Sequence, residues 1–69
     1  MPLIQVNMAA GRSPEQKRAL LHAVTQAVHE SIGSPIAAIH VWINEYDETE
    51  LIAGGEILAD RNRHTVPGG

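Results

Sequence analysis

Two short stretches of the chain alternate between apolar and polar positions, and a longer stretch between them repeats every three to four residues. In the first, Leu3 to Met8, the residues Ile4, Val6 and Met8 fall on one side and Leu3, Gln5 and Asn7 on the other, the period of a strand with one clearly apolar face. Ala9-Ala10-Gly11 ends it. The second runs from Ile39 to Glu45, with Ile39, Val41 and Ile43 on one side and His40, Trp42 and Asn44 on the other. Between them Ser13 reads as an N-cap, Pro14 as the first helical residue, Glu15 as a first-turn acid and Gln16 as the closing member of a capping box. Leu20, Val24, Ala27 and Val28 then recur at helical spacing, flanked by Leu21 and Ile32, with Lys17, Arg18, Gln26 and Glu30 on the opposite side. Gly33, followed by Pro35, is the natural stop.

Strand, helix of about nineteen residues and strand make a βαβ unit, so the strands are predicted to be parallel with a right-handed crossover. The acidic run Tyr46 to Glu50 reads as a loop, and Leu51 to Leu58 as two apolar arms around the Gly54-Gly55 turn. The fold class is therefore α/β (α+β): one domain over residues 2–60 with a short C-terminal hairpin, then a tail over 61–69, with a partly disordered character expected from Asp60 onward. One helix covers one face of a two-stranded sheet, and such a sheet is marginal in water alone. Trp42, beside His40 and Asn44 on the uncovered face, is expected in a subunit contact, the other reading being an isolated exposed tryptophan.

Composition strengthens the case for partners. The chain has 69 residues, 43% hydrophobic, with one Trp, one Tyr and no Phe, so its core must come from small aliphatic side chains. Chains this short usually need disulfides, metals or other subunits. With no cysteine, disulfides and thiolate metal sites are excluded, and oligomerisation remains. The net charge of −3 and the lack of a basic run argue against nucleic acid or an anionic membrane as partner. The longest apolar stretch, Pro35 to Ile43, is broken by His40 and far short of a bilayer span. The chain start lacks the basic-then-apolar pattern of a secretory signal, so a soluble cytoplasmic protein is expected.

Candidate chemistry is sparse. His22 and His29 are seven apart on the helix, about 10 Å along its axis, and cannot hold one ion together, so no metal and no cofactor is expected. The serines are explained by caps and turns, and no nucleophile elbow is present. Arg12 sits where a strand ends and a helix begins, a place that favours anions; it is either a carboxylate clamp or an ordinary surface arginine. Pro2 follows the initiator Met directly. Removal of Met1 would leave a secondary amine, and desolvation or a nearby cation lowers an α-amino pKa from its reference of about 7.7–8.0, giving a neutral general base. The alternative is that Pro2 only stiffens the strand start.

Pro2-Leu3-Ile4-Gln5-Val6, Gly11-Arg12-Ser13-Pro14-Glu15-Gln16-Lys17, the strand Ile39 to Glu45 and Gly54-Gly55-Glu56 together resemble the tautomerase superfamily, specifically the 4-oxalocrotonate tautomerase group, over about residues 2–60. The block from Gly11 to Lys17 at its distance from Pro2 is the specific part. The resemblance implies βαβ chains assembled into homohexamers as trimers of dimers. It also implies an amino-terminal proline that moves a proton between the enol and keto forms of small 2-oxo or 2-hydroxy-dienoic acids. On this chain Pro2 would be the proton carrier, while Arg12 would hold the substrate carboxylate. His40 falls where the family has a second arginine, and Leu51 where it has a pocket aromatic.

Independently of the resemblance, Pro2 and Arg12 lie at opposite ends of the first strand, near 20 Å apart at about 3.3 Å per residue. If first strands of two copies pair antiparallel about a two-fold axis, Arg12 of one copy meets Pro2 of the other. In the resemblance, replacing the second arginine by His40, which is not a fixed cation, implies that a monocarboxylate such as an arylpyruvate is favoured over a diacid. Leu51 keeps the site apolar but removes the ring. Related dehalogenases and hydratases need a carboxylate where this chain has Ala53, and Glu50 lies in the solvated acidic run. The reading is a tautomerase; the alternatives are a non-catalytic small-ligand-binding subunit of an oligomer, or a related decarboxylase or hydratase.

Overall fold

The computed structural model describes residues 1–63. Strand β1 (Leu3–Ala9) leads to helix α1 (Pro14–Ile32), a 3-10 turn over Ile36–Ala38, and strand β2 (His40–Tyr46). A second 3-10 turn over Glu48–Glu50 precedes strands β3 (Ile52–Ala53) and β4 (Glu56–Ile57), and helix α2 (Leu58–Arg63) ends the described chain.

β1 and β2 pair in parallel, from Leu3 opposite His40 to Ala9 opposite Tyr46. Two further backbone bonds extend this ladder: His40 N–H donates to the Pro2 carbonyl at 3.1 Å and Ala10 N–H to the Tyr46 carbonyl at 2.9 Å. The expected second strand is displaced by one residue. Ile39 donates instead to the Ile36 carbonyl at 3.1 Å, closing the 3-10 turn, so pairing begins at His40.

The alternation translates directly into exposure. Ile4, Val6, Met8, Val41 and Ile43 are half-buried, while Leu3, Gln5, Asn7, His40, Trp42 and Asn44 are exposed. α1 packs against β2 and starts as its sequence requires. The Ser13 Oγ accepts from Gln16 N–H at 3.1 Å, and Gln16 Oε1 accepts from Ser13 N–H at 3.0 Å. The helix ends at Gly33 in the left-handed conformation, whose N–H donates to the His29 carbonyl. His29 also sends Nδ1–H to the Ser34 carbonyl at 2.7 Å, tying the helix end to the following loop.

The helical stripe needs three corrections. Leu20, Leu21, Val24 and Val28 are half-buried, but Ala27 is exposed and Ile32 is 67% exposed. Lys17, assigned by its charge to the solvent side, turns toward the sheet and pairs with Glu45 of β2 at 3.2 Å. Glu45 lies opposite Met8, in the row under the helix, so this ion pair closes the polar end of the covered face.

The double-glycine turn joins β3 and β4 antiparallel, Ile52 opposite Ile57. Gly54 and Gly55 have φ of 62° and 85°, and two consecutive positive φ angles are what a two-residue hairpin of native twist demands. The arms are short, because Leu58 already belongs to α2. Residues 60–63, read from sequence as the beginning of the tail, are helical, so the boundary expected between 60 and 61 falls inside α2. Three hydrogen bonds hold that helix. Leu58 N–H donates to the Leu51 carbonyl at 2.8 Å, and Arg61 bonds Glu56 at 3.1 Å and the Ala53 carbonyl at 3.3 Å. The rest of the expected tail, 64–69, lies outside the described residues.

None of the described residues is buried. The Cα radius of gyration is 15.4 Å, against about 11 Å for a compact chain of this length, and the molecule measures 43 × 24 × 19 Å. A single copy is thus an extended layer with one sheet face open, and it has no interior of its own.

Candidate functional site

The ladder that begins β2 also places two of the four site residues expected from sequence. Pro2 is half-buried immediately before β1, and its carbonyl is bonded by the His40 amide, so proline and imidazole share one end of the sheet. Leu3, opposite His40, and Trp42, two residues further along, share the face of the imidazole and are 62% and 45% exposed. Met1 projects beyond them at 83% exposure.

Arg12 belongs to the other end. Gly11, at φ 123°, turns the chain out of β1, and Arg12 is delivered exposed just ahead of the Ser13 cap. A side chain at that φ would be strained, so the direction in which Arg12 leaves the strand depends on glycine. Among the described residues Arg12 has no hydrogen-bond or ion-pair partner. β1 lies between it and Pro2, and the six steps from Leu3 to Ala9 at about 3.3 Å each alone span about 20 Å. Leu51, half-buried, follows the Glu48–Glu50 turn beyond the far end of β2. One copy therefore brings Pro2 to His40 and keeps both from Arg12.

A concavity of about 480 Å³ runs along Pro14, Glu15, Arg18, Ala19 and His22. All five residues are exposed on α1, and none of Pro2, Arg12, His40 and Leu51 lines it. A hollow against one face of one helix, open to water and far from the chain start, does not compete with the strand ends as a reaction site. Among the described residues no group of three or more His, Cys, Asp or Glu converges as a metal site would require.

Two polar features at the sheet escape a reading of sequence alone. The first is the Lys17–Glu45 pair, 28 residues apart in the chain. Its signal was available: Lys17 stands three residues before Leu20 and so continues the sheet-facing stripe. The second is an amide cluster on the open face, where Asn7 Oδ1 accepts from Gln5 at 2.8 Å and from Asn44 at 3.1 Å. Asn7 and Asn44 are ladder partners, and only the parallel register brings them together.

Comparison with known proteins agrees with this frame. A family model described as tautomerase enzyme matches residues 2–61. A probable tautomerase of Bacillus cereus is 43% identical over 61 residues, 88% of this chain and all of that protein. The 2-hydroxymuconate tautomerase of Comamonas testosteroni is 47% identical over 45 residues, 65% of this chain and 71% of that one. Among solved structures, TomN, a 4-oxalocrotonate tautomerase homologue of the tomaymycin biosynthetic pathway, superposes with a TM-score of 0.85 at 39% identity, covering 90% of this chain and 95% of its own. A heterohexamer 4-oxalocrotonate tautomerase from Chloroflexus aurantiacus gives 0.82 at 33% identity, covering 87% and 97%.

Proposed function

The chain belongs to the tautomerase family, and from that premise we propose that it interconverts the enol and keto forms of a small 2-oxo or 2-hydroxy-dienoic acid, with Pro2 as the base. Removal of the exposed Met1 frees the proline nitrogen as a secondary amine. That nitrogen takes the proton from the enol hydroxyl; the oxygen's electrons form the carbonyl, and the carbon–carbon double bond receives the proton back from the prolinium. Arg12 grips the substrate carboxylate through two parallel N–H bonds and stabilises the negative charge that builds on the oxygen. The reading is an isomerase, and proton and charge return to their starting places after each turnover.

The observation that carries this proposal is the separation of the two groups in a chain none of whose described residues is buried. Among the described residues Arg12 is a guanidinium without a partner, about 20 Å from Pro2. Antiparallel pairing of two first strands would set the Arg12 end of one copy against the Pro2 end of the other, and the same contact would remove part of the open face from water. The assembly proposed is a homo-oligomer, a hexamer built from dimers. A second reading, a non-catalytic subunit of a mixed assembly, draws on the solved heterohexamer among the similar proteins and on the presence of His40 and Leu51.

The test uses two inactive variants. Pro2→Ala and Arg12→Ala are each expected to lose ketonisation of phenylpyruvate enol. When equal amounts are unfolded and refolded together, dimers of one copy of each carry one intact site, and about a quarter of wild-type activity returns. Activity in Pro2→Ala alone would exclude the base, and absence of recovery on mixing would exclude a site shared between copies. The wild-type chain assayed by itself, with its intact mass recorded for loss of Met1, separates the enzyme from the silent subunit.

A further inference from the structure

We infer that the site accepts a monoanionic 2-oxo acid with an uncharged, apolar far end, and that His40 is the residue that turns a second carboxylate away. The inference rests on the tautomerase reading and narrows it.

Positive charge is scarce in this chain, and part of it is already engaged. Lys17 is committed to Glu45 at 3.2 Å, with about a third of each side chain exposed. Arg61 is committed to Glu56 and to the Ala53 carbonyl, tying α2 to the hairpin. Arg18 lies on the outward face of α1, beside His22 along the open concavity. Among the described side chains, Arg12 is then the one guanidinium or ammonium at a strand end that has nothing to bind. One fixed cation answers one carboxylate.

At the Pro2 end the groups around His40 are known from each neighbouring element. β1 contributes Leu3 and the Pro2 carbonyl, β2 contributes Trp42, and the preceding 3-10 turn contributes Ala38 and Ile39. The charge-bearing groups there are the amine at the chain start and, in the assembly proposed above, Arg12 of the second copy. An imidazole is not a fixed cation as a guanidinium is. A distal carboxylate would leave water to face Leu3, Trp42 and a ring that offers no permanent charge. Leaving a charge unpaired in a dry site is disfavoured far more strongly than placing a methylene or phenyl group there. Leu51 stands at the same end of the sheet as Arg12, so in the assembly proposed above the second copy brings it along with Arg12, an apolar side chain with no donor.

The experiment compares kcat/KM for a monoacid, the enol of phenylpyruvate, with that for a diacid, 2-hydroxymuconate, in the wild type, His40→Arg and His40→Gln. The wild type is expected to favour the monoacid at pH 8, and His40→Arg to raise the diacid-to-monoacid ratio roughly tenfold or more, chiefly through the diacid's KM. His40→Gln, which like histidine supplies no fixed cation, is expected to leave the ratio close to that of the wild type. A wild type that prefers the diacid at pH 8 overturns the inference while leaving the tautomerase intact, and so does a ratio that His40→Arg leaves unchanged. Lack of turnover of both acids instead overturns the underlying reading. The preference at pH 8 is read on wild-type protein, so misfolding of a variant does not rescue the idea.

Discussion

The two faces of the β1–β2 sheet are made by the same fourteen residues and the same ladder, yet they meet different fates. Under α1, Ile4, Val6, Met8, Val41 and Ile43 are half-buried and the row ends in a Lys17–Glu45 ion pair. On the other side Leu3, Trp42 and His40 stand exposed, together with the amides of Gln5, Asn7 and Asn44. The first face finds its cover within the chain. The second is equally ordered by the ladder but is left uncovered by the chain itself. Under the proposed function, packing and chemistry lead to one requirement, a second copy.

Opposite responses to the same substitution on the two faces would test this contrast, and they carry the largest expected effect. Ile43→Asp puts a carboxylate under α1 with no partner cation, and about 2–4 kcal/mol of destabilisation is expected, enough to lose the helical circular dichroism of so small a fold. Trp42→Asp places the same charge on the open face. It should leave the helical signal at high protein concentration while sedimentation shows smaller species than the wild type. A Trp42→Asp protein of unchanged sedimenting mass would remove the open face from the assembly contact.

What was legible in the sequence follows the same division. The alternation of β1 and β2, the Ser13–Gln16 capping box and the Gly54-Gly55 hairpin are local rules, each complete within a few residues. They specified the parallel pair and which residues share a face. The distance between Pro2 and Arg12 was readable too, because strand length is fixed geometry. α2 was missed, since a helix this short is held by contacts from elsewhere, Leu58 on the Leu51 carbonyl and Arg61 on Glu56. Lys17 was misassigned because charge was allowed to outweigh helical position. A long side chain can start on a buried stripe and still reach a carboxylate at its rim.

That misassigned lysine gives the next prediction, smaller than the first. A cycle of Lys17→Met, Glu45→Gln and the double variant should return a coupling of about 0.3–1 kcal/mol by thermal unfolding, as expected for a pair one-third exposed. The coupling should shrink as salt is raised toward 1 M, where the screening length is about 3 Å. A value of zero would mean that the pair only decorates the rim of the covered face, and that the apolar residues alone hold the helix on the sheet.

The smallest effect lies beyond both faces, in the acidic turn after β2. Asp47 Oδ1 accepts from the Thr49 hydroxyl at 2.7 Å and from the Thr49 amide at 2.9 Å. These bonds, the hydroxyl first, hold the Asp47 carboxyl below its ordinary 3.8 although it is fully exposed. In the unfolded chain the carboxyl takes up its proton at the ordinary value, so the turn's contribution is present above pH 3.8 and fades as pH falls through the lower folded value. Following the Asp47 side chain by NMR should place its midpoint below 3.8 in the wild type and closer to it in Thr49→Ala, with Thr49→Ser restoring the wild-type position. The open face should not register this change: sedimentation of Thr49→Ala at neutral pH should match the wild type. An altered mass would connect the acidic turn to the subunit contact and extend the uncovered region past the sheet.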